Sequence, residues 1–327
     1  MALNANGATR PIFSPRTRLL VVAPHPDDET LANGVLLQQV LAAGGTVGVL
    51  LLTAGENNPW PQRWLERRWR IDPAAQARWA QRRRHELDAA LRELAVPTDT
   101  LECLAWPDLG VLDRVLRPEL GAVAQLRAVL ARFAPDVIAL PALADRHPDH
   151  GAAHVLTRMA IAAWGDTPTL LEYLIHGVDA DARAVAADAT PAQRAAKQRA
   201  VAAHHSQLVL SRRRLRRWGE RTEQHAVHAV PPRVDGLLPW HPSAVVRAKA
   251  CLTAVTVRGD VGRWRWREAP LVWTGTDWRL AWPHAAAADT CFVRLSLDWP
   301  SPWIFDRWGW REIRGASTQL ASRMWSD

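Results

Sequence analysis

From Arg18 to about His205 the chain alternates short apolar runs with longer amphipathic stretches, and this constrains the fold more than any other feature. "RLLVVAP" (18–24), "TVGVLLLT" (46–53), "TLECLAW" (100–106) and "PDVIALP" (135–141) have the length and near-continuous apolar character of buried strands. "LLEYLIHG" (170–177) reads as a fifth strand. Between and after them, helical spacing predicts helices over 29–43, 74–94, 119–133, 151–163 and 191–205. In the first of these, Leu31, Val35, Leu36 and Val40 share one face. Strands alternating with helices at this spacing predict an α/β fold built on a doubly wound, mostly parallel sheet.

The character changes at the Pro-rich stretch "AVPPRVDGLLPWHP" (229–242). Beyond it, runs such as "RAKACLTAVTVRG" and "TCFVRLSLDWP" are separated by Gly, Asp and Pro turns, and eleven of the eighteen Trp lie past residue 229. Aromatic and β-branched enrichment of this kind suits antiparallel strands with one packed face. The expected division is a catalytic domain over 16–228 and a β-rich, Trp-rich C-terminal extension or small domain over 229–327. Most of those tryptophans are expected to be core.

The three cysteines form no CxxC pair, which argues against a disulfide framework or a Cys-built zinc site. The N-terminal residues lack the apolar stretch of a signal peptide, and no run of eighteen apolar residues exists. A cytoplasmic protein without a transmembrane segment is therefore expected. The formal charge of +8 comes almost wholly from arginine, with Lys only at 197 and 249. Charge of that size speaks to solubility and association rather than to fold.

In open α/β sheets, ligands gather at the carboxyl ends of the strands. Two polar clusters fall there: "HPDDE" (25–29), after the first strand, and "DRHPDHGAAH" (145–154), after the fourth. Each contains His-Pro-Asp, and each proline fixes φ, so the neighbouring side chains are aimed. Adjacent carboxylates repel each other, and a divalent metal offsets that repulsion; neutral imidazole is a good zinc ligand. His25, Asp28 and His150 would make the three-ligand set typical of a catalytic zinc. Asp27 is then left to take a proton from water as general base. His147 would stabilise an oxyanion or protonate a leaving group, and Asp149 would orient an imidazole. Asp28 also competes for a second role, as cap of the first helix. His154, four residues past His150 on one helical face, is a weaker candidate for the site's surroundings.

At these residues the sequence resembles the PIG-L/LmbE-like N-deacetylase family. "APHPDDETL" (23–31) is similar to its leading motif and "HPDH" (147–150) to its second. "LLTAGE" (51–56), "RRRHEL" (82–87), "WPDLG" (106–110), "EYLIHG" (172–177) and "KQRAVAAHHSQ" (197–207) follow in the family's order. The resemblance covers roughly 18–210. It implies a Rossmann-like three-layer fold, one zinc per chain, and hydrolysis of an N-acyl group, usually N-acetyl, on an amino sugar or glycoconjugate. By matching position it implies His25, Asp28 and His150 as ligands, Asp27 as base, His147 as oxyanion or acid partner, and Arg83 as an arginine reaching substrate. After "DET" the family continues with a small glycine-rich turn, where this chain has "LANG" (31–34).

The substrate-binding candidates outside the motifs are Trp60, in the aromatic segment 56–70 with Trp64 and Trp69, and Tyr173 and His176, in the run 170–177. Packing of the loop is the competing role for the tryptophans. "SRRRLRRWGER" (211–221) gathers arginines on one helix that would face solvent or meet an anionic substrate, a lipid surface or nucleic acid. The rivals to a deacetylase are a metal-dependent hydrolase of another amide or an ester and, in a different class, a basic nucleic-acid-binding protein. The last lacks any reader motif, so no specific nucleic acid is expected.

Overall fold

The computed structural model describes residues 2–3, 9–10, 12–177, 184–186, 188–228, 236–288, 290–298 and 304–314. After a short antiparallel pair, Ala2–Leu3 with Thr9–Arg10, the strands and α-helices in chain order begin with β1 (Arg18–Ala23), α1 (Asp28–Ala42), β2 (Thr46–Thr53), α2 (Pro59–Glu66), α3 (Pro73–Glu93) and β3 (Leu101–Trp106). They continue with α4 (Val111–Leu116), α5 (Ala122–Phe133), β4 (Val137–Pro141), α6 (Pro148–Trp164), β5 (Thr169–Tyr173) and β6 (Ala184–Ala186). Next come α7 (Pro191–Ala203), α8 (His205–Glu220), β7 (Gln224–Val227), α9 (Ala244–Arg247), β8 (Ala250–Thr256) and β9 (Val261–Arg265). The last are β10 (Leu271–Trp273), β11 (Trp278–Leu280), α10 (Pro283–Ala287), β12 (Cys291–Leu297) and β13 (Trp310–Ile313).

The chain divides into two compact units. One comprises Met1–Val111, Leu130–Ala142 and Thr167–His228; the other comprises Leu112–Val129, Leu143–Asp166 and Ala229–Asp327. The first holds a seven-stranded sheet in the order β3-β2-β1-β4-β5-β7-β6. Its first five strands run parallel, as their alternation with helices requires. β7 then pairs antiparallel to β5, and β6 antiparallel to β7. Leu19, Val21 and Ala23 of β1 and Val47, Val49 and Leu51 of β2 join residues of α1, α3, α7 and α8 in one core. Leu20, Val22, Leu50 and Leu52 point to the opposite face and are buried too. Burial on both faces explains why these strands read as unbroken apolar runs.

β1 and β4 are direct neighbours, with Val21 opposite Ala139. β1 ends at Ala23, two residues before His25, and its neighbour β4 ends at Pro141, six residues before His147. The segment 56–70 is not a plain loop: Pro59 opens α2, where a fixed φ and missing N–H suit the first turn of a helix.

The second unit carries a four-stranded antiparallel sheet, β9-β8-β12-β13, and the hairpin β10–β11. Trp240, Trp266, Trp282 and Trp310 are buried within it. Trp264 meets Trp282, and Trp266 meets Trp278, edge to face at 5.4 and 5.7 Å. These tryptophans are core, as expected; Trp299, Trp303 and Trp325 lie outside the described residues. Among the described residues no helix is long and apolar enough to cross a membrane.

Candidate functional site

One polar cluster belongs to the first unit and grows from the end of β1. His25, 8% exposed, lies between two carboxylates: Asp28 Oδ2 is 3.4 Å from its Nδ1, and Asp108 Oδ1 is 3.2 Å from its Nε2. Asp28 also accepts the His25 backbone N–H at 2.9 Å, closing the turn that Pro26 stiffens. Asp28 is thus the first residue of α1, with its carboxylate turned back towards His25. Neither Asp27 nor Asp28 serves as a side-chain cap of that helix, so the capping role considered for Asp28 is not used. Burial alone would raise the Asp108 carboxyl, but its bond to His25 and the charges of His25 and Arg83 hold it well below the usual carboxylate range. An imidazole and two carboxylates buried in one place form a donor set that suits a divalent metal of zinc's kind.

Asp27 is held in a strained backbone, with φ 129° and ψ −25°. Its N–H donates to Glu29 Oε2 at 3.0 Å, and Glu29 Oε1 accepts from the Thr30 hydroxyl. His204, fully buried, reaches Thr30 Oγ1 at 3.3 Å and Glu29 Oε1 at 3.6 Å. On the other side Arg83 Nη2 lies 3.5 Å from Asp27 Oδ2, while its Nη1 donates to the Gly55 carbonyl at 2.9 Å. Burial pushes the Asp27 carboxyl up to about 6, against the Arg83 charge and with help from Asp28. His204 is pushed down by burial, but its bond to Glu29 and the charges of Glu29 and Asp27 win, and its pKa is raised.

A second polar cluster lies in the second unit, at the start of α6. Asp145, 1% exposed, places Oδ2 3.1 Å from His150 Nδ1 and accepts the His147 backbone N–H on Oδ1 at 2.9 Å. With the Nδ1 proton on Asp145, the lone pair of His150 resides on Nε2, the form in which imidazole binds metals. His147 is the opposite tautomer. Its Nδ1 accepts the Asp149 N–H at 3.3 Å, so in the neutral ring the proton sits on Nε2, where it can be donated. Gly151 follows because a Cβ there would come within 2.5 Å of the Trp310 ring. His154 is buried in this unit and meets Phe292 edge to face at 6.1 Å.

The predicted residues thus fall in two groups, His25, Asp27, Asp28 and Arg83 in one unit and His147, Asp149 and His150 in the other. Tyr173 is fully buried and donates its hydroxyl to the Val22 carbonyl at 2.7 Å. His176 lies half-buried just past β5, and Trp60 is exposed on α2. Asp108, Asp145, Glu29 and His204 have no role in the sequence reading. Asp108 and His204 stand inside "WPDLG" and "KQRAVAAHHSQ", so the signal was present without its chemistry.

Comparison with known proteins gives a consistent result. Residues 20–161 match the family model PIG-L: GlcNAc-PI de-N-acetylase. The 1D-myo-inositol 2-acetamido-2-deoxy-alpha-D-glucopyranoside deacetylase of Mycobacterium leprae (strain Br4923) is 33% identical over 166 residues, 47% of this chain and 53% of that protein. The protein of the same name from Mycolicibacterium gilvum (strain PYR-GCK) is 36% identical over 162 residues, 45% of this chain and 56% of its own length. The chain thus spans about half the length of these curated relatives. Among solved structures, GalB, the 4-carboxy-2-hydroxymuconate hydratase from Pseudomonas putida KT2440, aligns over 67% of this chain and 98% of its own. Its TM-score is 0.50 at 18% identity, a likeness of fold alone.

Proposed function

As residues 20–161 make this chain a member of the PIG-L/LmbE-like deacetylase family, we propose that it is a metal-dependent hydrolase that removes an acyl group, acetyl by its relatives' example, from the nitrogen of an amino-sugar-like substrate. The observation that carries this reading is the exit of both His-Pro-Asp segments from the carboxyl ends of neighbouring parallel strands, β1 and β4, the position where open α/β sheets bind ligands. The domain boundary proposed with it falls near residue 229.

His25, Asp28 and His150 would hold one zinc per chain. When bound, that ion supplies Lewis acidity, lowering the pKa of water and polarising an acyl carbonyl. The remaining work falls to the chain's own groups. Asp27 accepts the proton of the attacking water and returns it to the departing amine. Its strained backbone, fixed by Glu29 and flanked by Arg83, keeps the carboxylate aimed. His147 donates from Nε2 to the oxygen on which charge develops. Asp145 fixes His150 in the ligating tautomer. Arg83, Trp60 and His176 are the proposed substrate-side residues, whereas Tyr173, expected with them, is buried in the core with its hydroxyl on the Val22 carbonyl.

The test is release of acetate from a panel of N-acetylated amino sugars, with metal content measured on the same preparation. About one zinc per chain and turnover lost on chelation, or in Asp27→Ala, is the expected outcome. A zinc-loaded chain that releases acetate from none of the panel, yet cleaves esters or other amides, would transfer the reading to another hydrolase on this scaffold.

A further inference from the structure

Exposed apolar bulk is concentrated at one place in the first unit. Trp60, Trp64, Leu65 and Trp69 are 61%, 68%, 38% and 81% exposed, within ten residues of chain. Trp60 and Trp64 are one helical turn apart on α2, so they stand on one face, while Pro61 and Gln62 are buried on the other. Isolated exposed apolar residues are ordinary, but a cluster of this size marks an interaction surface.

The cluster is framed by cationic charge. The Arg63 guanidinium lies over the rings of both Trp60 and Trp69, at 5.0 and 5.6 Å, which ties the helix to the segment beyond it. Arg67, Arg68 and Arg70 are exposed between and beside these tryptophans. α2 packs against α8, which carries five further exposed arginines between 212 and 217 and the half-exposed Leu210. The acid within α2, Glu66, is engaged by Arg78 at 3.2 Å. A short helix with tryptophans outward and arginines around them matches the chemistry of a bilayer interface. Indole rings sit at headgroup depth there, and guanidinium groups meet lipid phosphates.

We propose that α2 and the adjoining face of α8 form a peripheral membrane-docking surface for anionic phospholipid. The complementarity lies in the charge, because a neutral bilayer offers the tryptophans an interface but gives the arginines nothing to neutralise. The proposal does not rest on the hydrolytic reading, although Trp60 is shared with the substrate-side residues named there. It concerns tryptophans that the sequence offers either as substrate-stacking or as loop-packing residues, and an arginine helix expected to face solvent or to meet an anionic substrate, a lipid surface or nucleic acid.

The test is co-sedimentation of the full chain with vesicles of pure phosphatidylcholine and vesicles containing about one-third phosphatidylglycerol. Binding is expected to the second and at least about tenfold weaker to the first. It is expected to fall steeply between 0.05 and 0.5 M salt, as charge screening tightens to a few Å (about 3 Å at 1 M). Trp64→Ala/Trp69→Ala and, separately, Arg68→Glu/Arg214→Glu should each weaken partition by about tenfold or more. These positions are exposed, and an unchanged circular dichroism melt will confirm that each variant is folded. Failure to bind phosphatidylglycerol vesicles overturns the proposal, whether or not a single-stranded oligonucleotide is retained. Binding that both folded variants leave unchanged overturns it as well.

Discussion

Replacing Lys197 by Met removes the cation from a buried ion pair. Lys197 is 1% exposed, and its Nζ lies 2.7 Å from Glu223 Oε1. The same carboxylate accepts the backbone N–H groups of Val35 and Leu36 at 2.7 and 3.0 Å, so Glu223 fastens the middle of α1 to the segment leading into β7. Met fills the volume of the lysine stem but leaves a buried carboxylate with only two amide donors. Breaking a buried pair from one side costs about 3–5 kcal/mol, a large share of the roughly 5–15 kcal/mol that holds a domain together. The pH dependence distinguishes this from lost packing. Burial raises the Glu223 pKa, and Lys197 opposes that rise; without Lys197 it rises further. A carboxyl whose folded pKa is raised favours the native state below its unfolded value and loses that contribution as pH climbs through the folded value. The Lys197→Met penalty, read from urea melts, should therefore shrink from pH 8 to pH 5. Lys197→Met/Glu223→Gln should recover about 1–2 kcal/mol of it, since no charge is then buried. A penalty under about 1 kcal/mol, or one that is the same at both pH values, would refute the account.

Three further outcomes follow from the geometry. His225 is buried beside Lys197, and burial followed by that charge lowers its pKa to about 4. Its unfolded form binds a proton first, so stability should fall as pH drops from about 6.5 to about 4, by an amount on the order of 3 kcal/mol, and His225→Gln should flatten that limb of the urea-midpoint profile. Gly55→Ala combines a φ of +64° with a Cβ only 1.8 Å from Arg83 Nη1, so it should displace Arg83 and cost at least about 1–2 kcal/mol in thermal melts, more than Gly121→Ala, where φ is +67° and the space is open. Asp27→Ala should lower the acetate-release rate by about 10²–10⁴-fold while keeping its zinc, whereas His25→Ala and Asp28→Ala should lose zinc by elemental measurement.

How far the sequence carries can be judged element by element. The parallel core was legible because burial on both faces writes itself as apolar runs, and the two His-Pro-Asp segments because their strand-end position needs no tertiary knowledge. The antiparallel edge formed by β7 and β6 was not, since "QHAV" (224–227) is too short and polar to read as a strand. α2 was missed because Asn57, Asn58, Pro59 and Pro61 give a turn signal that outweighs eight residues of helix. Charged residues with a buried partner were the hardest. Glu223 looks like any surface acid until α1 and α7 are packed around it, and Glu29, Asp108 and Asp145 acquire meaning only through the imidazoles they meet.

The departure "LANG" shows how such hidden contacts explain a sequence feature that local rules leave open. Gly34 is not in a left-handed conformation. A Cβ there would approach Lys197 Cγ at 3.3 Å and Leu94 Cδ2 at 3.4 Å, so its smallness serves the close passage of the Lys197 stem. Asn33 faces His225 Nε2 at 2.9 Å through its side-chain oxygen, while the amide nitrogen Nδ2 is buried without a hydrogen bond. A neutral imidazole has one N–H, and His225 also hydrogen-bonds the Ala32 backbone. Only one arrangement satisfies all three groups: the His225 N–H donates to the Ala32 carbonyl, its Nε2 accepts, and the Asn33 amide is turned so that Nδ2 is the donor. Protonating His225 would set two donors, N–H and Nδ2–H, against each other unless the amide turned back. "LANG", which is helical within α1, thus departs from the family pattern where α1 meets the buried Lys197, Glu223 and His225.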